Sequence, residues 1–479
     1  MKKNTKIILG ISAAVVVLGI ILVVILLMPS DENKTETTDI ILINKTSLDV
    51  DDITVKNQSG EYQILGYDYS KTLESGEIDD IPLVYTMQGY EHTLMSKLMT
   101  DNLVSECKTV AATKIVDKSG KRYIDYGLDK PRAEVKVIYS DLSKVDMFFG
   151  NEAPDKSGTY CRIDGDKNVY LVNSGSIDMF FMDKLQLFDK NLTGEMSETE
   201  DISEIELSGK GYEKSVIVTD KENNIIDTSY VMTSPYNEPC DNTKTVNYAT
   251  GFFDMKMSTV AAAEVNEDDI KKFGLSEPYM DIKIKTTERE INILVSETED
   301  EKYYIMKKDG NIIYQTDDDE FKYYGLNYMD FLSESIFKPE MPNVKTAEIT
   351  YQNKTYEYIL EREKVINDLY EESLNTTMYY NGETVNYGNL LNFVENLSNI
   401  KRTYEFPENR DGFKEIFKIT LKFEKENYSL VLYENDEKKT LVSVDGDDKC
   451  LVDTEFVQKI LAMTEKIPTD EPVEIIENS

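Results

Sequence analysis

The sequence contains few of the residues from which catalytic and metal sites are usually built. It has one histidine, His92, and four cysteines, Cys107, Cys161, Cys240 and Cys450, without any C-x-x-C pair. Scattered thiols do not support a zinc ribbon or a thioredoxin-like motif. We expect them to be reduced and buried, with one disulfide as the alternative in an oxidising compartment. A lone histidine without a nucleophile motif is more typical of a surface or packing residue on the first long helix than of a catalytic base.

Known catalytic motifs are missing as well. The sequence has no G-x-S-x-G, no P-loop, no H-E-x-x-H and no dinucleotide fingerprint. The nearest approach to a phosphate cradle, Ser-Gly-Lys-Gly at residues 208–211, is short and opens no helix, so we interpret it as a hairpin turn. The sequence therefore predicts a non-enzymatic protein that needs no cofactor and has no catalytic, cofactor-binding or metal-binding residues.

Basic residues are in short supply relative to acids. The 479 residues include 53 Lys and Arg against 90 Asp and Glu, which gives a formal charge of −37. Binding to nucleic acid needs a basic stripe, and lying flat on anionic lipid needs basic residues too, so both are disfavoured. A large acidic charge is typical of a soluble, solvated surface. The length predicts about three domains, and 40% apolar residues can supply their cores.

One acidic segment has part of the spacing of a calcium loop. Asp164, Asp166 and Asn168 match the first three ligand positions of such a loop. The next position should be glycine and is Val169, and the twelfth should be glutamate and is Gly175. A hairpin tip is the better interpretation. The same interpretation applies to Asp445, Asp447 and Asp448.

The sequence has a single long apolar run, residues 7–28. It carries no charge, and at about 1.5 Å per residue it spans a hydrocarbon core of about 30 Å. Lysines precede it and acids dominate the far side, so the positive-inside rule places the N-terminus in the cytoplasm and the rest outside. A cleaved signal peptide would have a shorter apolar region and a small-x-small site. The sequence predicts an uncleaved, single-pass signal anchor in the cell membrane.

A turn motif recurs along the remainder. Tyr126-Gly127-Leu128 and Phe273-Gly274-Leu275 are each followed by two residues, a proline and an alternating apolar run. Glycine permits positive φ and proline donates no ladder hydrogen bond, so both segments predict a turn that opens a strand. Recurrence at a domain-sized distance predicts a duplicated unit. A third, divergent copy has Phe406-Pro407 in this region instead.

Each copy follows one order of predicted elements. A hairpin is followed by an amphipathic helix, a small antiparallel meander with an Asp-Gly type I′ turn, and a second amphipathic helix. We therefore predict an α+β fold of three tandem modules, each an antiparallel sheet with helices on one face. The acidic run 317–320 precedes the closing helix of the second copy, predicted at 321–331, where acids favour the N-terminus of a helix. The predicted segments are 1–6 (cytoplasmic N-terminus), 7–28 (anchor), 29–40 (polar tether), 41–200, 201–343 and 344–466 (modules), and 467–479 (a frayed acidic tail).

These features resemble the bacterial DUF4340 family, a domain of unknown function. Its members have an N-terminal membrane anchor and units with the aromatic-Gly-Leu-x-x-Pro turn followed by a meander, as in the segment that ends at residues 168–172. The resemblance is clear over residues 50–340 and weaker in the third copy. Because family members are often associated with uncharacterised ABC-type transport systems, it implies an extracytoplasmic accessory role. It transfers no catalytic residue.

The sequence thus predicts a membrane-anchored extracytoplasmic scaffold. Its expected partners are the membrane and an integral-membrane or envelope protein, in an accessory role to an ABC-type transport complex. A ligand- or cation-sensing envelope module is a second hypothesis, based on the acidic hairpin tips. A cell-wall hydrolase acting through two carboxylates is a third, although paired acids in so acidic a chain cannot single out a site.

Overall fold

The computed structural model describes residues 39–67, 71–72, 78–79, 83–219, 225–235, 237–299, 301–366, 372–407 and 409–476. The predicted anchor at 7–28 and the cytoplasmic N-terminus at 1–6 lie outside these residues. Within the described ranges, no helix combines the length and the apolar character needed to cross a membrane. The chain divides into two compact units after Asp189.

The described part of the first unit is built on one antiparallel sheet with the strand order β1-β7-β11-β10-β9-β8-β2-β3-β6, and β4 and β5 pair separately. Its strands are β1 (Ile40–Asn44), β2 (Val50–Asn57), β3 (Gly60–Tyr67), β4 (Lys71–Thr72), β5 (Ile78–Asp79), β6 (Val84–Met87), β7 (Thr109–Asp117), β8 (Ala133–Tyr139), β9 (Lys144–Glu152), β10 (Thr159–Ile163) and β11 (Val169–Val172).

The second unit contains two antiparallel sheets in its described residues. The first of them has the order β15-β14-β13-β12-β17-β18-β19-β20-β16. Its strands are β12 (Ile202–Ser208), β13 (Ser215–Thr219), β14 (Tyr230–Ser234), β15 (Glu238–Pro239), β16 (Thr259–Ala263), β17 (Met280–Thr286), β18 (Glu290–Val295), β19 (Tyr303–Lys307) and β20 (Ile312–Thr316).

The third sheet has the order β24-β23-β22-β21-β25-β26-β27-β28. Its strands are β21 (Thr346–Tyr351), β22 (Lys354–Ile366), β23 (Glu372–Tyr380), β24 (Glu383–Val385), β25 (Lys414–Lys422), β26 (Asn427–Glu434), β27 (Lys439–Val444) and β28 (Asp447–Asp453).

The helices among the described residues are few and short. The α-helices are α1 (Lys97–Lys108), α2 (Asn242–Gly251), α3 (Glu267–Lys272), α4 (Tyr387–Ser398) and α5 (Thr454–Leu461). The 3₁₀ turns are Tyr123–Tyr126, Ser174–Ser176, Asp178–Phe181, Lys184–Leu187, Tyr328–Phe331, Met341–Asn343 and Thr464–Lys466.

The strand order of the three sheets recurs. The hairpins β2–β3, β12–β13 and β21–β22 each pair their first strand with the first strand of a four-stranded meander, namely β8, β17 or β25. In the first two sheets, β7 and β16 then pair with the last strand of the meander. In the described part of the third sheet, β28 is the last strand in the order. The alternating runs that the sequence predicts after the turn motif are β8 and β17, and both bury every second residue.

The turn motif is a helix C-terminal cap. The Gly127 N–H donates to the Ile124 carbonyl at 3.3 Å, and the Leu128 N–H donates to the Tyr123 carbonyl at 2.9 Å. These two bonds form a Schellman motif, in which the glycine adopts the left-handed conformation, here with φ of 68°. The second copy repeats both bonds around Gly274, whose φ is 73°. The predicted turn is therefore confirmed in both copies.

The predicted closing helix forms only in the third copy. There, α5 buries Val457, Ile460 and Leu461. In the first copy the expected helix at 177–185 is replaced by two 3₁₀ turns, because Phe180 and its neighbours are buried in a compact aromatic packing. In the second copy, the helix predicted at 321–331 is replaced by a turn at 322–325 and one 3₁₀ turn at Tyr328–Phe331, and the acids before it lie in a further turn.

Two finer expectations also need correction. Only Asp445-Gly446 forms the predicted type I′ turn, with φ of 50° and 91°, whereas the other two Asp-Gly pairs lie in longer connections. The predicted apolar stripe of the first helix is only partly buried. Leu103 is fully buried, but Leu94 precedes α1, and its side chain and that of Leu98 are 68% and 65% exposed.

A buried ionic cluster joins the second and third sheets inside the second unit. Glu238 on β15 forms ion pairs with Arg402, which follows α4, and with Lys449 on β28, the latter with an Nζ–Oε1 distance of 3.2 Å. The three side chains are at most 8% exposed. The single carboxylate therefore neutralises two buried cations, and the two sheets depend on each other for this compensation.

One carboxyl group in the first unit gives its stability a pH dependence. Burial raises the pKa of Glu106 to about 7, and nearby Asp178 adds to this effect, although the Met179 N–H donates to Glu106 at 3.1 Å. The folded state therefore holds a proton that the unfolded chain releases near pH 4.3. Stability from this group is complete below that value and is lost as the pH rises towards about 7.

We expect Glu106→Gln to flatten this dependence. The wild-type first unit should melt at a lower temperature at pH 8 than at pH 5, and the variant should show a smaller difference between the two pH values. The measurement is thermal unfolding at both values, with hydrogen exchange to assign the transition to the first unit. Equal differences in the two proteins would contradict the assignment of the dependence to Glu106.

Candidate peptide-binding groove

The helix α4 has two chemically different faces. Leu390, Phe393 and Leu397 are completely buried in the core of the third sheet. Another stripe consists of asparagines spaced by three, four and three residues, a spacing that places them on one side of a helix. We call these four residues the asparagine ladder: Asn389, Asn392, Asn396 and Asn399.

The first asparagine of the ladder binds the chain where it leaves the last 3₁₀ turn. Asn389 Nδ2 lies 3.2, 3.0 and 2.9 Å from the carbonyl oxygens of Lys466, Thr469 and Glu471. Its Oδ1 accepts from the Val473 N–H at 3.1 Å. Both ends of one side-chain amide are thus used to fix the course of the main chain.

The next two asparagines continue this pattern along the tail. Asn392 Nδ2 donates to the Val473 carbonyl at 2.9 Å. Asn396 Nδ2 donates to the Glu474 carbonyl at 2.8 Å, and its Oδ1 accepts from the Ile476 N–H at 2.7 Å. The tail is therefore held in an extended course over at least two turns of α4.

The ladder recognises main-chain groups of the tail. Asn399 completes it by donating to the Ile476 carbonyl at 3.1 Å. Asn389 and Asn396 are 2% and 0% exposed, so their amides are costly to leave without partners. From 470 to 476, the only buried side chain is Val473. The sequence-based expectation of a frayed tail is therefore wrong for residues 467–476, because hydrogen bonds to asparagine compensate for its acidic, proline-broken sequence; residues 477–479 lie outside the described chain.

A cavity of about 720 Å³ lies beside the tail. Its walls are α4, the segment 338–342 and the tail residue Ile475. Leu391 contributes an apolar surface from α4 and is 36% exposed, while Ile475 is 53% exposed. The cavity therefore extends the ladder into a groove with apolar patches next to main-chain binding groups, a combination typical of peptide-binding sites.

The wall opposite α4 is held by one arginine. The Arg362 guanidinium donates to the main-chain carbonyls of Met341, at 2.7 Å, and Val344. Burial raises the pKa of Glu340 in this wall, and Asp227 contributes to the rise. Lys338 lies 3.8 Å from Asp227. The groove is thus fixed in shape and carries more acidic than basic groups.

The first acidic hairpin tip is satisfied by its own residues. The Asp166 carboxylate accepts hydrogen bonds from the Asn168 N–H at 2.9 Å and from the Tyr170 hydroxyl. These bonds lower the pKa of Asp166. Asp164 pairs with Arg162 at 3.8 Å. The tip therefore has the structural role that its sequence suggests.

The second tip distributes its acids among three different partners. Asp448 forms two hydrogen bonds with Arg410, at 2.6 and 2.7 Å. Asp445 accepts from Ser429, and Asp447 lies 3.8 Å from Lys449. Throughout the described chain, no group of three or more His, Cys, Asp or Glu side chains is placed to hold a metal ion.

The remaining sequence candidates occupy structural positions. His92 is exposed in a turn before α1, not on the helix. Gly209 and Gly211 pack against Tyr279, which leaves no room for a side chain at either position, so the glycine-rich stretch is a tight contact. All four cysteines are free and buried.

The asparagine ladder is the feature that the sequence analysis missed. The apolar period of α4 was used to predict a helix, and the polar stripe on its other side was not interpreted. Four asparagines in eleven residues are unusual on a helix, because asparagine is a poor helix former. A search for polar side chains repeating at helical spacing would have identified them.

We expect Asn396→Ala to release the end of the tail. The change removes the bonds to Glu474 and Ile476, and hydrogen exchange at the Ile476 amide should become about tenfold faster or more. Hydrogen exchange by NMR or mass spectrometry measures this directly. Asn375→Ala, at an exposed asparagine of β23, is the control and should leave the tail unchanged. Equal protection in wild type and Asn396→Ala would show that the ladder does not hold the tail.

Comparisons with known proteins identify a family and no function. The model of the family described as a domain of unknown function, DUF4340, matches residues 90–228 and 231–408. The match confirms the resemblance that the turn motif indicates. No curated protein matches the chain, and no solved structure matches it.

Proposed function

We propose that this chain, which belongs to the DUF4340 family, is a non-enzymatic binding protein that holds a partner polypeptide in the groove beside α4. The observation that carries this proposal is the asparagine ladder, whose amides bind main-chain groups while Leu391 and Ile475 offer apolar surface beside them. Such a surface fits the recognition of an extended peptide.

The proposed location is the outer face of a cell membrane. Residues 7–28 would cross the membrane once, with Lys2, Lys3 and Lys6 on the cytoplasmic side. Residues 29–40 would form a short tether, and three related modules with helices covering one face of each sheet would follow outside. The net charge of −37 supports this arrangement, because it favours a soluble exterior over contact with anionic lipid.

The proposed partner is an integral-membrane or envelope protein, in a complex of the ABC transport type. A protein tethered to the same membrane as its partner gains from a high effective concentration of that partner. A groove that recognises main chain through fixed amides suits a scaffold, because it needs no chemistry at the bound segment.

Co-purification tests this function. A tagged full-length chain is isolated from native membranes in mild detergent, and its partners are compared with those of Leu391→Glu. Leu391 lines the groove and is partly exposed, so a charge there should reduce the partner several-fold without unfolding the protein. Ile124→Glu, at a site 72% exposed in the first unit, is the matched control. A partner that is recovered equally with all three proteins would refute a role for the groove.

A further inference from the structure

The tail makes unusually few side-chain contacts for a bound segment. Every side chain from 470 to 475 is exposed except that of Val473, which is 1% exposed. Ile476 packs partly buried against the core of the third sheet, and Glu471 lies 3.7 Å from Lys466. The attachments to the ladder join main-chain atoms of the tail. Any extended polypeptide offers the same main-chain groups, so the ladder itself specifies little about the sequence that occupies it beyond aliphatic residues at the Val473 and Ile476 positions.

The site is built independently of its occupant. Three of the asparagines lie on α4 and Asn399 is its C-cap, and the helix is anchored through its apolar face in the core of the third sheet. Ile467 is completely buried and Thr469 bonds back to Lys466, so the chain is fixed up to Thr469. Departure of residues 470–476 would leave the ladder in place. Asn389 Nδ2 would keep its bonds to the Lys466 and Thr469 carbonyls, and the amides of the other three asparagines would be available to another peptide.

The charges next to the groove favour a different sequence from that of the tail. The cavity is lined by Asp227, Glu340 and Glu395 against the single cation Lys338 among its described residues. The tail places Ile475 against this cavity, and its own Glu474 adds no compensation. A basic side chain at the Ile475 position would complement the cavity better than isoleucine does.

We propose that the asparagine ladder is an exchangeable peptide site, in which residues 470–476 are displaced by an extended segment of a partner protein. The displacing segment carries aliphatic residues at the Val473 and Ile476 positions and a basic residue at the Ile475 position. The proposal rests on the proposed function and names the class of ligand that the groove takes. The tail then acts as an internal competitor that keeps the buried amides satisfied until the partner arrives.

The first experiment opens the site with one substitution. Val473→Asp in the full-length protein removes the buried anchor of the tail, so a fluorescent peptide with the sequence of residues 470–476 should bind this variant at least tenfold more tightly than it binds wild type. Fluorescence anisotropy measures both dissociation constants. The peptide carrying Ile475→Lys should bind more tightly still. Equal binding to wild type and Val473→Asp would overturn the proposal, as would weaker binding of the Ile475→Lys peptide.

A second measurement compares two peptides on one protein, so any effect of the substitution on folding is the same for both. N-methylation of the peptide at the Ile476 position removes the N–H that donates to Asn396 Oδ1 at 2.7 Å. This peptide should bind Val473→Asp at least fivefold more weakly than a peptide methylated at the Glu471 position, whose N–H donates to the Thr469 hydroxyl at 3.2 Å and not to the ladder. Equal affinities for the two methylated peptides would show that the ladder does not select main-chain groups and would overturn the proposal.

The outcomes separate this inference from the proposed function. If the peptides do not bind while Leu391→Glu still loses a membrane partner, the exchange is wrong and the groove is used in another way. If the peptides bind as expected while the partner is recovered equally with wild type, Leu391→Glu and Ile124→Glu, the site is exchangeable and the membrane role is wrong.

Discussion

Replacing Glu238 with glutamine should lower the free energy of unfolding of the second unit by about 3–5 kcal/mol, the cost typical of a buried ion pair that loses one partner. Glutamine keeps the shape of the side chain but removes the buried counter-charge of Arg402 and Lys449. Lys449 then keeps only the exposed Asp447, 3.8 Å away, as an ion-pair partner among the described residues. Urea unfolding followed by circular dichroism, with hydrogen exchange to assign the transition, measures the change. Lys449→Met should cost less, because Glu238 and Arg402 remain paired.

The control lies at the surface of the same unit. Glu334 pairs with Lys401 at 3.4 Å, and these side chains are 66% and 58% exposed. Glu334→Gln should change the stability by less than about 0.5 kcal/mol, as expected for an exposed ion pair. If Glu238→Gln cost no more than this control, the cluster would contribute nothing to holding the second and third sheets together.

A methyl group at Gly150 should destabilise the first unit by about 2–3 kcal/mol, near the upper end of the usual cost of overpacking. A Cβ atom there would lie 2.1 Å from the Tyr126 carbonyl oxygen, and Leu128 lies 3.2 Å away. Both neighbours belong to the Schellman cap that the family motif encodes, and the closer one is main chain, so the clash cannot be relieved by a side-chain rotation. Gly150→Ala should therefore displace the cap.

The same unit offers a matched glycine. Gly175 has ordinary backbone geometry, and a Cβ atom at this position would lie no closer than 3.5 Å to Asn173 Oδ1. Gly175→Ala should therefore stay within about 0.5 kcal/mol of wild type in the same urea titration. Equal effects of the two substitutions on stability would contradict the close packing of the Schellman cap against Gly150 on β9.

Local chemistry explains which parts of the fold could be predicted. The left-handed conformation of Gly127 and Gly274 can be predicted from the sequence, because glycine adopts positive φ readily. The alternating runs after them predict strands with one buried face. The type I′ turn at Asp445-Gly446 can be predicted for the same reason, because the two strands that it joins pair with each other directly on either side of these two residues. These features depend on few residues close in sequence, so a sequence pattern captures them.

The missed features depend on distant residues. The closing segment of the first copy has an apolar period, but the aromatic packing of Phe180 against Phe149 favours short 3₁₀ turns over a helix. The tail looks like a frayed end because its stabilising partners lie about eighty residues upstream on α4. The composition of an asparagine stripe does not identify it as a binding site. Its role becomes visible only in the structure, where the main chain of the tail lies along it.

The most direct test of the central claim, that the groove beside α4 holds a partner polypeptide, is site-specific cross-linking in native membranes. A photo-reactive amino acid in place of Leu391 should give a covalent product with a membrane or envelope protein, and an excess of the peptide with Ile475→Lys should reduce that product. The same amino acid in place of Ile124 should not give this product. Absence of any partner adduct from position 391, with the protein intact in the membrane, would contradict the account.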